Sequence, residues 1–312
     1  MGSRQFWKWA FMNRFFLVIR LSKPIFLLGG VLLYAMGVGI ARYLGTTIRW
    51  DIYILGQTWV SLLQLGAHYL NEYFKTSEDA DSSNRTTQSG SNEPIKTEKI
   101  ERSTLLILSA ACLACVASLT VLLIQNINLG STEIFIMTLA FLGAFFYAAP
   151  PLKLATTGYG ELTVSILTTI LLPIFAYHLQ TGELHRLLTM TTFPLTALLL
   201  SMMLSFELPG YANDLKTNKQ TLMVRIGWKR GMFLHNLLIL SAFLLYGVAM
   251  VFGLPLSIGL PVYLALPLGV LQIWQMHRIA EGAKPNWRSL TLTAVVLFGA
   301  AAYLLTFSFW TR

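Results

Sequence analysis

The stretch Asn71–Asp81, NEYFKTSEDAD, follows an apolar segment and opens the most acidic part of a 312-residue chain. Glu72, Glu78, Asp79, Asp81, Glu93, Glu98 and Glu101, half of the 14 acids, fall between residues 71 and 103, beside Lys75, Arg85, Lys96, Lys99 and Arg102. Charged residues make up only 12% of the chain and hydrophobic ones 55%, with a mean hydropathy of +0.60. A soluble protein of this length needs far more charge to cover its surface. The class is therefore a multi-pass integral membrane protein, and ionisable groups gathered at the end of an apolar helix are where chemistry is expected.

Working outward from that stretch, nine apolar segments are long enough to span a bilayer: about 24–43, 52–72, 104–124, 133–150, 160–180, 189–209, 232–252, 255–276 and 289–310. The expected fold is an all-α membrane protein, one domain over residues 1–312, with nine transmembrane helices bundled around a central cavity. All but four of the 23 Lys and Arg flank one set of helix ends, the exceptions being Arg42, Arg49, Arg186 and Arg312. By the positive-inside rule the N-terminus and the loops 73–103 and 210–231 are cytoplasmic and the C-terminus is outside, as in a bacterial plasma membrane. The net charge of +9 fits loops facing anionic lipid rather than nucleic-acid binding. Residues 1–23, basic with interleaved aromatics, read either as an interfacial helix or as an ordinary positive flank, and no cleavable signal segment is expected. Residues 82–99 are a polar loop, or a lid over a site. Cys112 and Cys115 form a CxxC inside an apolar run; without a neighbouring His or Cys this reads as small residues at a helix contact.

A second charged stretch, Glu207–Arg225, ELPGYANDLKTNKQTLMVR, answers the first. On a continuous helix Asn71, Lys75 and Asp79 share a face, flanked by Glu78 and Asp81; Glu207, Tyr211 and Asp214 share another unless Pro209 breaks the helix. Solvated loop charges are one reading. The other is a cation between the two groups of carboxylates. Mg²⁺ takes one or two carboxylates and completes its shell with water and phosphate, so Asn71, Glu78, Asp79, Asp81, Glu207 and Asp214 are candidate ligands. Lys153, Lys216, Lys219 and Arg225 are placed to meet phosphate charge.

Asn71-xxx-Lys75-xxx-Asp79 resembles the NxxxDxxxD motif of the UbiA superfamily of intramembrane aromatic prenyltransferases, and Asn84–Ser91, NRTTQSGS, resembles the continuation of that motif in the 1,4-dihydroxy-2-naphthoate branch. Gly210-xxx-Asp214 followed by NKQTLMVRIG (Asn218–Gly227) is similar to the second motif, DxxxD and GKxTLxVRLG. Phe145–Val164, FFYAAPPLKLATTGYGELTV, and Tyr177–Glu183, YHLQTGE, are family-like as well. The chain departs from the pattern at Lys75, in place of the middle acid of the first motif, and at Gly210, in place of the first acid of the second. Glu72, Glu78, Asp81 and Glu207 stand close enough in sequence to substitute.

The resemblance implies Mg²⁺-dependent transfer of a polyprenyl group from its diphosphate to a small aromatic acceptor, 1,4-dihydroxy-2-naphthoate for that branch, as in menaquinone or phylloquinone synthesis. Asn71, Asp79 and Asp214 would be the catalytic set; Lys75, Arg85, Lys153, Lys216, Lys219 and Arg225 would face the diphosphate; Tyr147 and Tyr211 would shield the allylic cation; Glu161 would orient the acceptor or cap its helix. The prenyl tail would share its groove with membrane lipid. Hydroxybenzoate, homogentisate or a chlorophyllide are alternative acceptors, and a non-catalytic protein binding a prenyl lipid or a partner is the alternative from another class. His68, one turn before Asn71, reads as an acceptor contact or a packed histidine; His178, His185, His235 and His277 read as interfacial; Trp59, Trp274 and Trp287 as an aromatic belt; Gly29, Gly30, Gly37 and Gly39 as helix-packing sites. Reporter tags at the two ends test the orientation: an N-terminal tag is expected to be protected from outside reagents and a C-terminal one to be labelled.

Overall fold

A computed structural model describes residues 18–75, 101–127 and 129–312, which are helices and connecting turns with no strand among them. In order they are α1 (Pro24–Tyr43), α2 (Trp50–Tyr73), α3 (Arg102–Ile127), α4 (Ser131–Ala148), α5 (Gly160–Ile166), α6 (Leu172–Thr181), α7 (Arg186–Glu207), α8 (Tyr211–Lys216), α9 (Leu222–Ile226), α10 (Trp228–Val251), α11 (Leu256–Gly259), α12 (Leu266–Ala280) and α13 (Trp287–Thr311). A π-helical turn, Leu167–Leu171, joins α5 and α6 into one rod, Gly160–Thr181. Pro173 lies just beyond that turn. Lacking an N–H, it cannot complete the ladder, so the loosened turn sits where the hydrogen-bond register changes.

Eight of these rods are long and apolar enough to cross a membrane. The ninth expected span is also helical, as α2, and its 24 residues suffice in length, but Gln57, Gln64, His68, Asn71 and Glu72 make it more polar than the other eight. The span expected at 255–276 is interrupted: α11 passes through a 3₁₀ turn, Leu260–Ala265, before α12, because Pro261 and Pro267 each remove a helix donor. The stretch expected as a loop at 210–231 is largely helical. Pro209 ends α7 in a 3₁₀ turn, Leu208–Gly210, and the short helices α8 and α9 follow.

Two apolar cores share α1 and α6. One joins α1, α7, α10, α12 and α13 around Leu195, Leu198, Tyr246 and Phe309; the other joins α1, α2, α3, α4 and α6 around Tyr34, Trp59, Leu123 and Phe175. Glycines set the closest approaches. A Cβ at Gly37 would meet the Pro173 carbonyl and Ala176, and one at Gly39 would meet Trp310, whereas Gly29 faces open space. The packing role expected of these glycines thus does not extend to Gly29. The α2–α3 contact is built the same way, with Cys112 and Leu113 against Gly66 and the Ser109 hydroxyl donating to the Gly66 carbonyl at 2.9 Å, while Cys115 faces outward. Among the expected belt residues, Trp274 is exposed, but Trp59 is buried at 2% exposure and donates its indole N–H to Thr120 at 2.9 Å.

Two histidines expected at interfaces are buried. The His178 imidazole pairs with Glu133 at 3.0 Å, and His235 sits in a polar chain with Asn236, Gln272 and Ser205. Both are placed by tertiary contacts with polar groups far away in sequence. His185 instead caps α7 by accepting from the Leu187 N–H, and His277 meets Glu281 one turn on.

Gly37→Leu is expected to cost about 1–3 kcal/mol by overpacking against backbone that cannot move aside, and Gly29→Leu less than about 0.5 kcal/mol. Melting curves of the two variants in one detergent measure the contrast.

Candidate active site at the charged end of the bundle

The N-terminal end of α1, the C-terminal end of α2 and the loops after α4 and α7 meet at one end of the bundle. Glu72, on the last turn of α2, has 2% of its side chain exposed and is held by two ammonium groups, Lys75 Nζ at 2.6 Å and Lys23 Nζ at 3.4 Å. Burying a carboxylate is costly unless it is paired, and here one anion takes two cations from different elements. Burial, with the Lys23 ammonium beside it, brings the Lys75 ammonium down to about 8 against the opposing pull of Glu72. Lys153, in the left-handed region at φ 39°, reaches across to donate to the Phe74 carbonyl at 2.9 Å, and Arg102 donates to the Lys75 carbonyl at 3.3 Å. The chain leaving α2 is thus tied to α3 and to the α4–α5 loop.

The second motif folds back on itself. The Met223 N–H donates to Glu207 Oε2 at 2.9 Å, the Lys219 N–H to the Asp214 carbonyl at 2.9 Å, and the Gln220 N–H to the Thr156 carbonyl of the α4–α5 loop at 3.1 Å. The Glu207 carboxyl also lies within hydrogen-bonding reach of Glu161, at the start of α5. Asp214 is buried at 1% exposure. Lys219 interacts electrostatically with both Glu207 and Lys75, so the two charged stretches meet there.

Beneath this charged layer lies a cavity of about 110 Å³ between α1, α2, α4 and the α5–α6 rod, with walls that include Phe26, Trp59, Leu63, Tyr147, Leu171 and Phe175. Tyr147 joins the two layers: its ring lines the cavity, and it interacts with Glu161, Glu207 and Glu72.

Several expected site residues come together here: Asn71 (buried), Lys75, Lys219, Tyr147, Glu161, Glu207 and Asp214. Others are engaged elsewhere. Arg225 stacks over the Tyr159 ring at 4.9 Å, Lys216 is exposed, and Tyr211 packs on a small cluster with Leu208 and Met223 rather than lining the cavity. The 3₁₀ turn at Leu208–Gly210 breaks the helical spacing that would have put Tyr211 on one face with Glu207. Glu78, Asp79, Asp81 and Arg85 lie outside the described residues. Glu72, a possible substitute acid by sequence, is neutralised by Lys23 and Lys75 instead. The partner missed in the sequence is Lys23, 49 residues upstream, whose only signal was its place at the foot of α1.

Among the described residues no three His, Cys, Asp or Glu side chains are grouped to cage a metal. Mg²⁺ needs no such cage. Glu161 Oε2 is buried without a hydrogen-bond partner beside the Glu207 carboxyl, and Asp214 is close in sequence, a donor set that fits a hard cation held by one or two carboxylates and substrate oxygens.

A model of the UbiA prenyltransferase family matches residues 31–286. No curated protein matches the sequence. Among solved structures, a UbiA homologue from Archaeoglobus fulgidus bound to GPP and Mg²⁺ superposes with a TM-score of 0.65 at 16% identity, over 92% of this chain and 99% of that one. A UbiA homologue from Aeropyrum pernix K1 in its apo form gives 0.62 at 14%, over 88% and 96%. A structure of digeranylgeranylglyceryl phosphate synthase gives 0.61 at 14%, over 92% and 93%. At these identities the likeness is one of fold.

The Lys75 ammonium supplies a pH test. Its pKa in the folded protein, about 8, lies below its ordinary value, so between those two values the unfolded chain holds more protons than the folded one and stability rises with pH. The melting temperature of the wild type minus that of Lys75→Met is expected to increase from pH 8 to pH 10.5; a decrease would mark an ordinary salt-bridged lysine.

Proposed function

The chain belongs to the UbiA prenyltransferase family, and from that premise we propose that it transfers a polyprenyl group from polyprenyl diphosphate to an aromatic acceptor, 1,4-dihydroxy-2-naphthoate in quinone synthesis. The observation that carries this reading is the layering of one end of the bundle. Carboxyl groups and ammonium groups from two separated motifs converge through Lys219, directly above an apolar cavity whose wall they share through Tyr147. A polyprenyl diphosphate has the same two-part chemistry, a charged head and a hydrocarbon tail. That the Archaeoglobus fulgidus homologues are solved with GPP or DMAPP and Mg²⁺ supports carrying this substrate class over.

Asn71, Asp79, Asp214 and Glu207 would hold Mg²⁺, with Glu78 and Asp81 close by in sequence. Bound there, the metal would neutralise the diphosphate and help it leave. Lys219, and Lys75 when released from Glu72, supply positive charge to the departing oxygens. Breaking the allylic C–O bond leaves a cation at the prenyl C1. Tyr147, which lines the cavity, would shield that cation with its ring. A ring carbon of the acceptor bonds to C1, and the ring proton is lost to restore aromaticity. The Glu161 carboxyl, with its unpartnered Oε2 beside Glu207, is positioned to receive that proton or to hold the ring.

A second reading follows from Glu72. The only acid of the first motif within the described residues is committed to two lysines, and Gly210 removes an acid from the second. A protein so altered binds a prenyl lipid without turning it over.

The deciding assay uses purified protein, radiolabelled geranylgeranyl diphosphate, a panel of aromatic acceptors, and Mg²⁺ or EDTA. Metal-dependent product is expected, falling by about a hundredfold or more in Asp79→Ala and Asp214→Ala. Absence of product with every acceptor from folded protein supports the binding-only reading.

A further inference from the structure

A second cavity, of about 220 Å³, opens where α12 ends and α13 begins, and shares no residue with the cavity beneath the charged layer. Trp274, Gln275, Arg278, Lys284, Asn286 and Ser289 line it. Ile279 and Leu290 line it too, and they belong to the small cluster that seats Leu208, Tyr211 and Met223 of the second motif. The pocket therefore lies at the charged end of the bundle. A single water needs roughly 10–15 Å³ of such space, so the pocket has room for a group of several atoms.

Two observations bear on what that group is. The first is charge. Arg278 and Lys284 are both exposed, and the one acid of the connecting loop, Glu281, meets His277 at 3.1 Å and does not line the pocket. The carbonyls of His277, Arg278 and Ile279 at the end of α12 are closed by the Glu281, Ala283 and Gly282 amides, whereas the first turn of α13 adds a dipole that favours an anion. The Arg278 guanidinium lies over the Trp274 ring, 5.5 Å from its centroid, and an exposed tryptophan marks the level of the interface. The second observation is a missing donor. Gln275 Oε1 is buried without a hydrogen-bond partner. The Gln275 amide nitrogen donates to Ser289 Oγ at 3.0 Å and to Thr293 Oγ1 at 3.4 Å. Thr293 gives its own hydrogen to the Ser289 carbonyl at 2.9 Å, so it has to accept from Gln275, which sets which way the amide faces. The oxygen is left in need of a donor, and an unmet buried acceptor is costly.

The geometry points to a site for the headgroup of an anionic glycerophospholipid that carries a hydroxyl beside its phosphate, as phosphatidylglycerol does. Arg278 and Lys284 meet the phosphodiester, and a headgroup hydroxyl donates to Gln275 Oε1. A choline or ethanolamine headgroup brings its own cation to two basic side chains and is disfavoured. From Arg278 the exposed apolar residues Trp274, Leu271 and Val270 run back along α12, a face for acyl chains that a free phosphate leaves unused. By the positive-inside rule this end of the bundle faces the anionic leaflet.

Native mass spectrometry of the full-length protein in detergent reads bound lipid directly. The probes are phosphatidylglycerol, phosphatidylcholine, phosphatidylmethanol (an anionic diester without a hydroxyl) and, as soluble sources of the same charge, inorganic phosphate and glycerol 3-phosphate. Phosphatidylglycerol is expected to bind about tenfold tighter than phosphatidylcholine and about threefold tighter than phosphatidylmethanol. In the double variant Arg278→Gln/Lys284→Gln the first preference falls below about threefold. Lys229→Gln/Arg230→Gln, which removes two exposed charges at the start of α10, keeps it. In Gln275→Leu the second preference is lost and the first stays. The inference is overturned if the wild type binds phosphatidylglycerol no better than phosphatidylcholine or phosphatidylmethanol. It is overturned as well if both double variants lose the preference equally, as diffuse charge would require, or if the soluble phosphates bind as tightly as the lipid, as a simple anion site would. Should a variant not fold, the wild-type comparisons decide. None of these outcomes depends on transferase activity.

Discussion

A carboxylate drawn out of water at the edge of a bilayer has to be met by positive charge, and the way Glu72 meets that demand shapes this end of the molecule. Lys23 comes from the foot of α1 and Lys75 from just past the end of α2, so one buried anion fixes the relative height of two spanning helices. The chain beyond Glu72 is then held by its backbone, with Lys153 and Arg102 donating to the Phe74 and Lys75 carbonyls. Side chains from three separate regions converge on a few residues at the mouth of the cavity. The second motif is braced as well by backbone amides donated to Glu207 and to the Asp214 and Thr156 carbonyls.

The pairing with Glu72 explains how a family motif can tolerate a lysine where an acid is usual. An ammonium at residue 75 paired with Glu72 repels a cation less than a lone one would, although with Lys23 on the same carboxylate the cluster keeps one positive charge. The other acids of the described site, Glu161, Glu207 and Asp214, belong to α5 and the α7–α9 segment, where Lys219 interacts with Glu207.

The all-helical membrane architecture was legible because hydrocarbon permits little else: runs of about twenty apolar residues have to become helices. The expected positions held to within a few residues for most rods, and the two charged stretches did converge. What could not be read was anything set by contacts between distant residues. Trp59 looks like a belt tryptophan by composition, yet Thr120 and Phe175 draw it inward. His178 has no sequence signal for its partner, Glu133, and Lys23 none for Glu72. Tyr211 carries motif-like spacing, but after the 3₁₀ turn at Pro209 it packs with Leu208 and Met223, and Arg225 lies over the Tyr159 ring. Spacing assumes an unbroken helix, and prolines at 209, 261 and 267 break that assumption where it matters most.

The π-helical turn at Leu167–Leu171 has a consequence for how this rod can change over time. Such a turn holds one residue more than an α-turn in nearly the same rise, so it separates the facing of the two flanking segments by about 100° from what an uninterrupted helix would give. Glu161, above the turn, and Phe175, below it, are consequently phased independently: one toward the charged layer, the other into the apolar core. Loss of a single residue from this turn would regularise the helix and swing one of those two groups out of place without disturbing the other. The rod thus carries a joint at which head-group chemistry and tail-cavity shape can be altered separately by inheritance.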